Sequence, residues 1–236
     1  MKEKTYKNIL SLIFAIAFFS FIRLGFWQLE RAEQKNIINE NYLQRQIANP
    51  LDSLPMGNED ILWRKINLQG EFLDINIFLD NQSLNRNPGY LVYSPFQLTD
   101  GRLVLVNRGW IPITKDRKQL PIVNKGTKNI ITGIVVPYPA VGINLIQNNN
   151  IERIDTNNLR LQKINSNEIN NMKLFDESQL YQYPISMLTP ESDGLYAKIQ
   201  LPVSDSEKNY GYAFQWFAFA ITLLIIFIVL RKRKRV

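Results

Sequence analysis

Two carboxylates suffice to hydrolyse a glycoside, one as acid and the other as base or nucleophile. Glu59, Asp60, Asp74 and Asp80 are the residues this sequence offers for that chemistry. All four fall at turn-like or alternating polar positions, where solvated strand faces place charge. A carboxylate-dependent periplasmic hydrolase therefore ranks last among the readings. Other catalytic chemistries fail on residue type. With no His among 236 residues, a Ser-His-Asp triad, a His-bound metal and a His-bound haem are excluded. With no Cys, so are a disulfide framework, a zinc–thiolate site and a thiol nucleophile. The residues that remain suit binding, and the chain is expected not to be an enzyme and to use no catalytic metal.

Three segments carry such residues. Gly25, Trp27, Gln28 and Arg31 stand together, followed by Lys35. Trp prefers the headgroup layer of a membrane, and a glycine in a membrane helix lets another backbone approach closely. Asn107-Arg108-Gly109-Trp110-Ile111-Pro112 ends an apolar run. Gly109 permits an unusual backbone angle and Pro112 stops ladder pairing. Exposed, Arg108 and Trp110 could meet a flat anionic ligand or a partner surface; packed inward, Trp110 would be core. Tyr210-Gly211-Tyr212-Ala213-Phe214-Gln215-Trp216-Phe217 is an aromatic belt, with Tyr212 and Trp216 on one helix face. Trp27, Arg31, Tyr212 and Trp216 are expected to share one surface.

The elements that position these segments begin with two apolar stretches. Residues 9–22 are apolar except for Ser11 and Ser20, and residues 213–230 except for Gln215 and Thr222. About 20 such residues cross a bilayer as a helix. No small-residue cleavage site follows the first stretch, which argues against a signal peptide. The net charge of +7 sits at the ends: Lys2, Lys4 and Lys7 at one, Arg231 to Arg235 at the other. Residues 29–212 carry 19 basic and 20 acidic side chains, so the body lacks the basic face that nucleic acid requires. Cations outside both spans place both termini in the cytoplasm. The expected organisation is a basic cytoplasmic N-terminus (1–7), transmembrane helix 1 (8–28), an external, periplasmic domain (29–212), transmembrane helix 2 (213–230) and a basic cytoplasmic tail (231–236). A bacterial cytoplasmic (inner) membrane is the simplest home.

The external domain reads as mainly antiparallel β with one or two helices, a partly closed barrel or sandwich, making the whole a membrane-anchored α+β protein. The first helix is expected to continue to Ala48 before Asn49-Pro50 ends it. Residues 66–72 alternate with period two, and residues 75–79 follow as the expected hairpin partner. Asn85-Arg86-Asn87-Pro88-Gly89 reads as a turn, residues 90–98 as a strand and Thr99-Asp100-Gly101-Arg102 as a tight hairpin connection. Residues 103–107 form an expected central strand and 130–136 another. Ten of residues 144–171 are Asn, which reads as a surface insertion or loop. Ser166-Asn167-Glu168 is expected to cap a short helix through Gln179. Residues 184–189 and 195–201 are expected as a last pair of strands.

The ordered set Gly25, Trp27, Gln28, Arg31, Lys35; Gly89-Tyr90 with Pro95; Val106 through Pro112; and Tyr212-Ala213 with Trp216-Phe217 resembles the surfeit-locus-protein-one family. These are assembly factors (chaperones) of cytochrome c oxidase in the respiratory chain. The resemblance implies a non-enzymatic partner of haem–copper oxidase subunit one and of other assembly factors, assisting haem a insertion. A general scaffold for another envelope complex is the alternative. The family pattern before the second span is Asn-His-Leu-x-Tyr-Ala, whose His is the suspected haem ligand. Here that position is Asn209, within Lys208-Asn209-Tyr210-Gly211-Tyr212-Ala213. An amide is a poor iron ligand beside imidazole, and Met187 and Tyr210 are the other conceivable donors. Haem a is thus implied by the family but lacks its expected ligand.

Overall fold

The computed structural model describes residues 2–57, 59–139, 151–174, 179–190, 194–199, 202 and 205–233. The chain divides into two compact units, Met1–Leu43 with Pro202–Val236, and Gln44–Leu201.

The first unit is built from helix α1 (Lys2–Ile47), whose last turn belongs to the second unit, and from a C-terminal helix that spans Glu207–Arg233. Both are long and apolar enough to cross a membrane. They are not core helices, because only 6% and 11% of their most apolar stretches are buried. Leu12, Phe19, Phe214 and Ile221 face outward, a surface stable against hydrocarbon and costly in water. The helices run antiparallel. Phe14 meets Phe227, Phe21 meets Trp216 and Phe219, and Phe26 meets Phe217, all with ring centroids 5.4–5.9 Å apart. Gly25, Ala32, Ala213 and Ala220 are the buried small residues that permit the approach,. As expected, α1 runs on past the apolar stretch and stops just before Asn49-Pro50.

The second unit is a mixed, mostly antiparallel eight-stranded sheet: β1 (Lys65–Phe72), β2 (Asn76–Leu84), β3 (Asn87–Leu98), β4 (Leu103–Pro112), β5 (Ile130–Val135), β6 (Ile151–Arg153), β7 (Asn158–Leu161) and β8 (Ile185–Met187), with the short helix α2 (Ser166–Asn171) between β7 and β8. The spatial order is β1-β5-β8-β4-β3-β2-β7-β6. Among the described strands, β2–β7 and β4–β8 pair in parallel and the other ladders are antiparallel. The first half of β1 pairs with β5 and its last three residues with β3, so the ladder returns upon itself. The helix Glu207–Arg233 is α3.

The β3–β4 hairpin forms at Asp100-Gly101 as its residues predict, with Gly101 at φ +89. The connection between β2 and β3 is tighter than expected. Only Asn85 and Arg86 form it, both with positive φ, the two-residue turn whose twist matches its strands, and Asn87, Pro88 and Gly89 are already in β3. Four expectations are corrected. β2 is not the hairpin partner of β1; it pairs with β3 and β7, because β1's hydrogen-bonding edges are taken by β3 and β5. Residues 151–171 are not a loop but hold β6, β7 and α2, while 144–150 lie outside the described residues. Their apolar members Leu159, Leu161, Ile164 and Ile169 are fully buried. The Asn residues occupy turns and caps instead: Asn157 and Asn158 donate to Asp155, and Asn165 Oδ1 accepts from the Glu168 N–H at 2.9 Å. That N-cap precedes Ser166, and α2 ends at Asn171 rather than Gln179, with 175–178 undescribed,. Finally, 195–201 is not a strand among the described residues. Tyr196 alone bridges to Trp110, and Gln200 and Leu201 lie outside the described residues.

Candidate functional site

In the helical unit, several motif residues are each other's partners. A Cβ on Gly25 would lie 2.6 Å from the Phe217 ring, so the glycine is the slot that ring fills. Nearly three turns on, Lys35 Nζ donates to Asn209 Oδ1 at 2.6 Å and to the Asp205 carbonyl at 3.0 Å. Asn209 Nδ2 donates to Gln28 Oε1 at 2.6 Å, and Asn36 donates to Tyr210 Oη at 3.0 Å. These bonds cross between α1 and α3, so both ends of the Asn209 amide are occupied by the opposite helix. Trp27 and Tyr212 are half exposed and Arg31 is exposed, its guanidinium bonding Gln34. Trp216 instead stacks on Phe21 at 5.7 Å. No ring contact or hydrogen bond joins Trp27, Arg31, Tyr212 and Trp216 to one another among the described residues.

In the sheet unit, the segment Asn107 to Trp110 is a β-bulge in mid-strand, not the end of a strand. Val92 pairs with Gly109 and Tyr93 with Asn107, leaving Arg108 as the extra residue,. The bulge reverses the alternation of β4. Leu105 and Trp110, of opposite parity, enter the same core cluster with Tyr93 and Leu91. Gly109 has φ +136, and a Cβ there would meet the Tyr196 carbonyl at 2.8 Å, so both backbone angle and space require glycine,. Its N–H donates to Asn107 Oδ1 at 3.1 Å. Asn107 Nδ2 donates to Ser186 Oγ at 3.0 Å, tying the bulge to β8.

Arg108 and Trp110 are not an exposed pair. Arg108 is 0% exposed and Trp110 4%. A buried guanidinium needs acceptors. Arg108 donates to Asn76 Oδ1 and to the Asn124 carbonyl and lies over the Phe72 ring at 5.2 Å. Ser94 donates to the same Asn76 oxygen, and Asn76 Nδ2 donates to the Val123 carbonyl. Trp110 Nε1 donates to the Gln82 carbonyl, and its backbone exchanges two bonds with Tyr196. Asn76, Ser94 and Ser186 were invisible as site residues in the sequence. Isolated polar residues in strands announce nothing until neighbouring strands bring them to the bulge, Asn76 to Arg108, Ser94 to Asn76 and Ser186 to Asn107.

Three of the four carboxylates hold neighbouring segments. Asp60 receives Arg45 at 2.6 Å and Asp74 receives Asn157 at 2.7 Å. Asp80, expected on a solvated face, is 6% exposed and accepts from Arg117, Gln162 and the Asn81 N–H. Met187 is packed in the core with Phe72 and Val106.

The profile of the SURF1 family matches residues 15–221, which contain all of these positions. The chain belongs to the SURF1 family. A SURF1-like protein of Rickettsia bellii (strain RML369-C) is 23% identical over 218 residues, covering 86% of this chain and 82% of the relative. One of Rickettsia prowazekii (strain Madrid E) is 30% identical over 120 residues, covering 48% of this chain and 47% of the relative. A SURF1-like protein of Dictyostelium discoideum is 29% identical over 114 residues, covering 42% and 41%. SURF1 proteins are known as oxidase assembly factors.

Proposed function

We propose that this SURF1 chain is an assembly factor for haem–copper oxidase, steadying subunit one while the oxidase is put together and acting by binding, without catalysis. The observation that carries this reading is that one family match, residues 15–221, covers the whole sheet unit and reaches into the apolar helix on either side of it. The basic ends support a two-pass arrangement in a bacterial cytoplasmic membrane, with both termini cytoplasmic and the sheet unit periplasmic,. The returning β1 ladder supports reading that unit as a partly closed barrel.

The family also implies haem a, and the residues at the expected ligand position do not fit it. Asn209 offers a neutral amide oxygen where iron favours imidazole. That oxygen already accepts from the Lys35 ammonium, a cation that disfavours a ferric centre beside it. No step in the proposed activity therefore runs through haem held at Asn209.

Deleting the gene and recording difference spectra of the membranes tests the proposal. Loss of the haem a oxidase signal with other respiratory complexes intact is expected. Unchanged oxidase would overturn it and favour a scaffold for another envelope complex. In complementation, Trp27→Ala and Arg31→Ala, at exposed positions, lower oxidase without lowering the amount of this protein. Trp216→Ala lowers both, because its ring packs on Phe21.

A further inference from the structure

The flat anion that Arg108 and Trp110 cannot reach from the interior has another place to go. A cavity of about 390 Å³ opens beside the bulge, lined by Trp63, Tyr93, Asn107, Tyr138, Ser186 and Lys198 among others. Pockets of this size take small organic ligands. Three of its walls are aromatic. Its polar side is one connected cluster, since Asn107 Nδ2 donates both to Ser186 Oγ and, at 3.5 Å, to the Lys198 carbonyl.

What this side holds is donors. The Lys198 ammonium is half-buried, and its one hydrogen-bond acceptor among the described residues is the neutral Gln82 Oε1 at 3.4 Å. Among the described residues no carboxylate pairs with it. Ser186 Oγ accepts from Asn107 and keeps its own proton, which no described group accepts. Tyr138 Oη is buried without a partner among the described residues. Burial pushes the Lys198 ammonium below its usual range and the Tyr138 hydroxyl up to about 12, so Tyr138 keeps its proton at neutral pH. Two hydroxyl donors without a described acceptor, beside an ammonium whose described partner is a neutral amide, call for an acceptor-rich, negatively charged group,.

Backbone strain points to the same wall. Trp63 has φ +66, a conformation that bulky side chains adopt only when their surroundings enforce it. Its N–H donates to the Val135 carbonyl at 2.7 Å, and its own carbonyl accepts from Gln46 Nε2 at 2.5 Å.

We propose that this cavity binds a small aromatic carboxylate, its rings between Trp63, Tyr93 and Tyr138 and its carboxylate on Lys198 and Ser186. The proposal is independent of the role in oxidase assembly.

The test uses the full chain in lipid nanodiscs, with 2-naphthoate as probe and saturation-transfer NMR as readout, corrected against empty nanodiscs. Saturable binding of 2-naphthoate is expected, with 2-naphthol, the same rings without the charge, about tenfold weaker. Lys198→Met brings naphthoate down to the level of naphthol and leaves naphthol unchanged. Ser186→Ala, a smaller change that keeps the fold, weakens naphthoate by a lesser factor. No saturable binding, equal binding of the two probes, or full naphthoate affinity in folded Lys198→Met protein would each overturn the proposal.

Discussion

Asn209 illustrates how one residue type redirects a position. Imidazole there could present a lone pair to iron; the amide instead spans two helices. Asn209→Ala is expected to lower the melting temperature of the detergent-solubilised protein, at a cost of about 1–2 kcal/mol for a part-buried bond to a charged partner. Asn209→Asp, which keeps an acceptor for Lys35, costs less. Haem titration of the parent and of Asn209→Ala should give the same spectrum. A Soret signal that vanishes in the variant, with melting unchanged, would restore ligand status to this position. At the bulge, Gly109→Val forces a β-branched side chain onto φ +136 and into the Tyr196 carbonyl, and is expected to cost more than 2 kcal/mol in chemical denaturation. The need for glycine was legible in the sequence. The burial of Arg108 was not, because its acceptors come from β2 and from the loop carrying Asn124.

At the scale of elements, α1 and α3 meet through a ring in a slot. Gly25→Leu is expected to separate them, lowering disulfide cross-linking between cysteines placed at Phe14 and Phe227, which lie 5.4 Å apart by ring centroid. Adding Phe217→Ala to Gly25→Leu should restore much of the cross-linking; no recovery would place the damage elsewhere. The two helices, the β3–β4 hairpin and the apolar β4 were all legible, because each rests on local pattern: long apolar runs, Asp-Gly, and uninterrupted Val and Leu. The pairing of β1 was not. Its alternation announces a strand but carries no information about which of several strands lies beside it. The Asn-rich stretch misled for a related reason, since composition averages over capping residues and the four buried Leu and Ile residues between them.

For the whole molecule, acid is the informative perturbant. Asp60 is held below the usual carboxylate range by Arg45, Asp100 by Arg102, and Asp155 by Asn158. Groups lowered on folding stabilise above their unfolded value, about 4, and lose that contribution as pH falls through the lowered one. All three are largely exposed, so each effect is small. Melting temperature is expected to be level near neutral pH and to decline below about pH 4. Lys198 has the opposite location on the pH axis. Its ammonium is lowered on folding, so the unfolded chain holds the extra proton and stability rises with pH from that lowered value towards about 10.4. Lys198→Met should remove that alkaline rise and leave the acid limb intact.

The place of β8 in the sheet has a consequence for biogenesis. Strands β4 and β5 never touch along their ladders; the three residues Ile185–Met187 lie between them. As the polypeptide leaves the ribosome, β1 to β5 are therefore complete well before the strand that joins two of them exists. Through that interval two apolar edges wait unpaired, a template for wrong pairing with neighbouring nascent chains. The closing contacts span some 50 to 80 positions along the chain, a separation that slows folding. The interval between synthesis of Val135 and of Ile185 is thus the stretch of this protein's life in which a holdase or a slow codon would matter most.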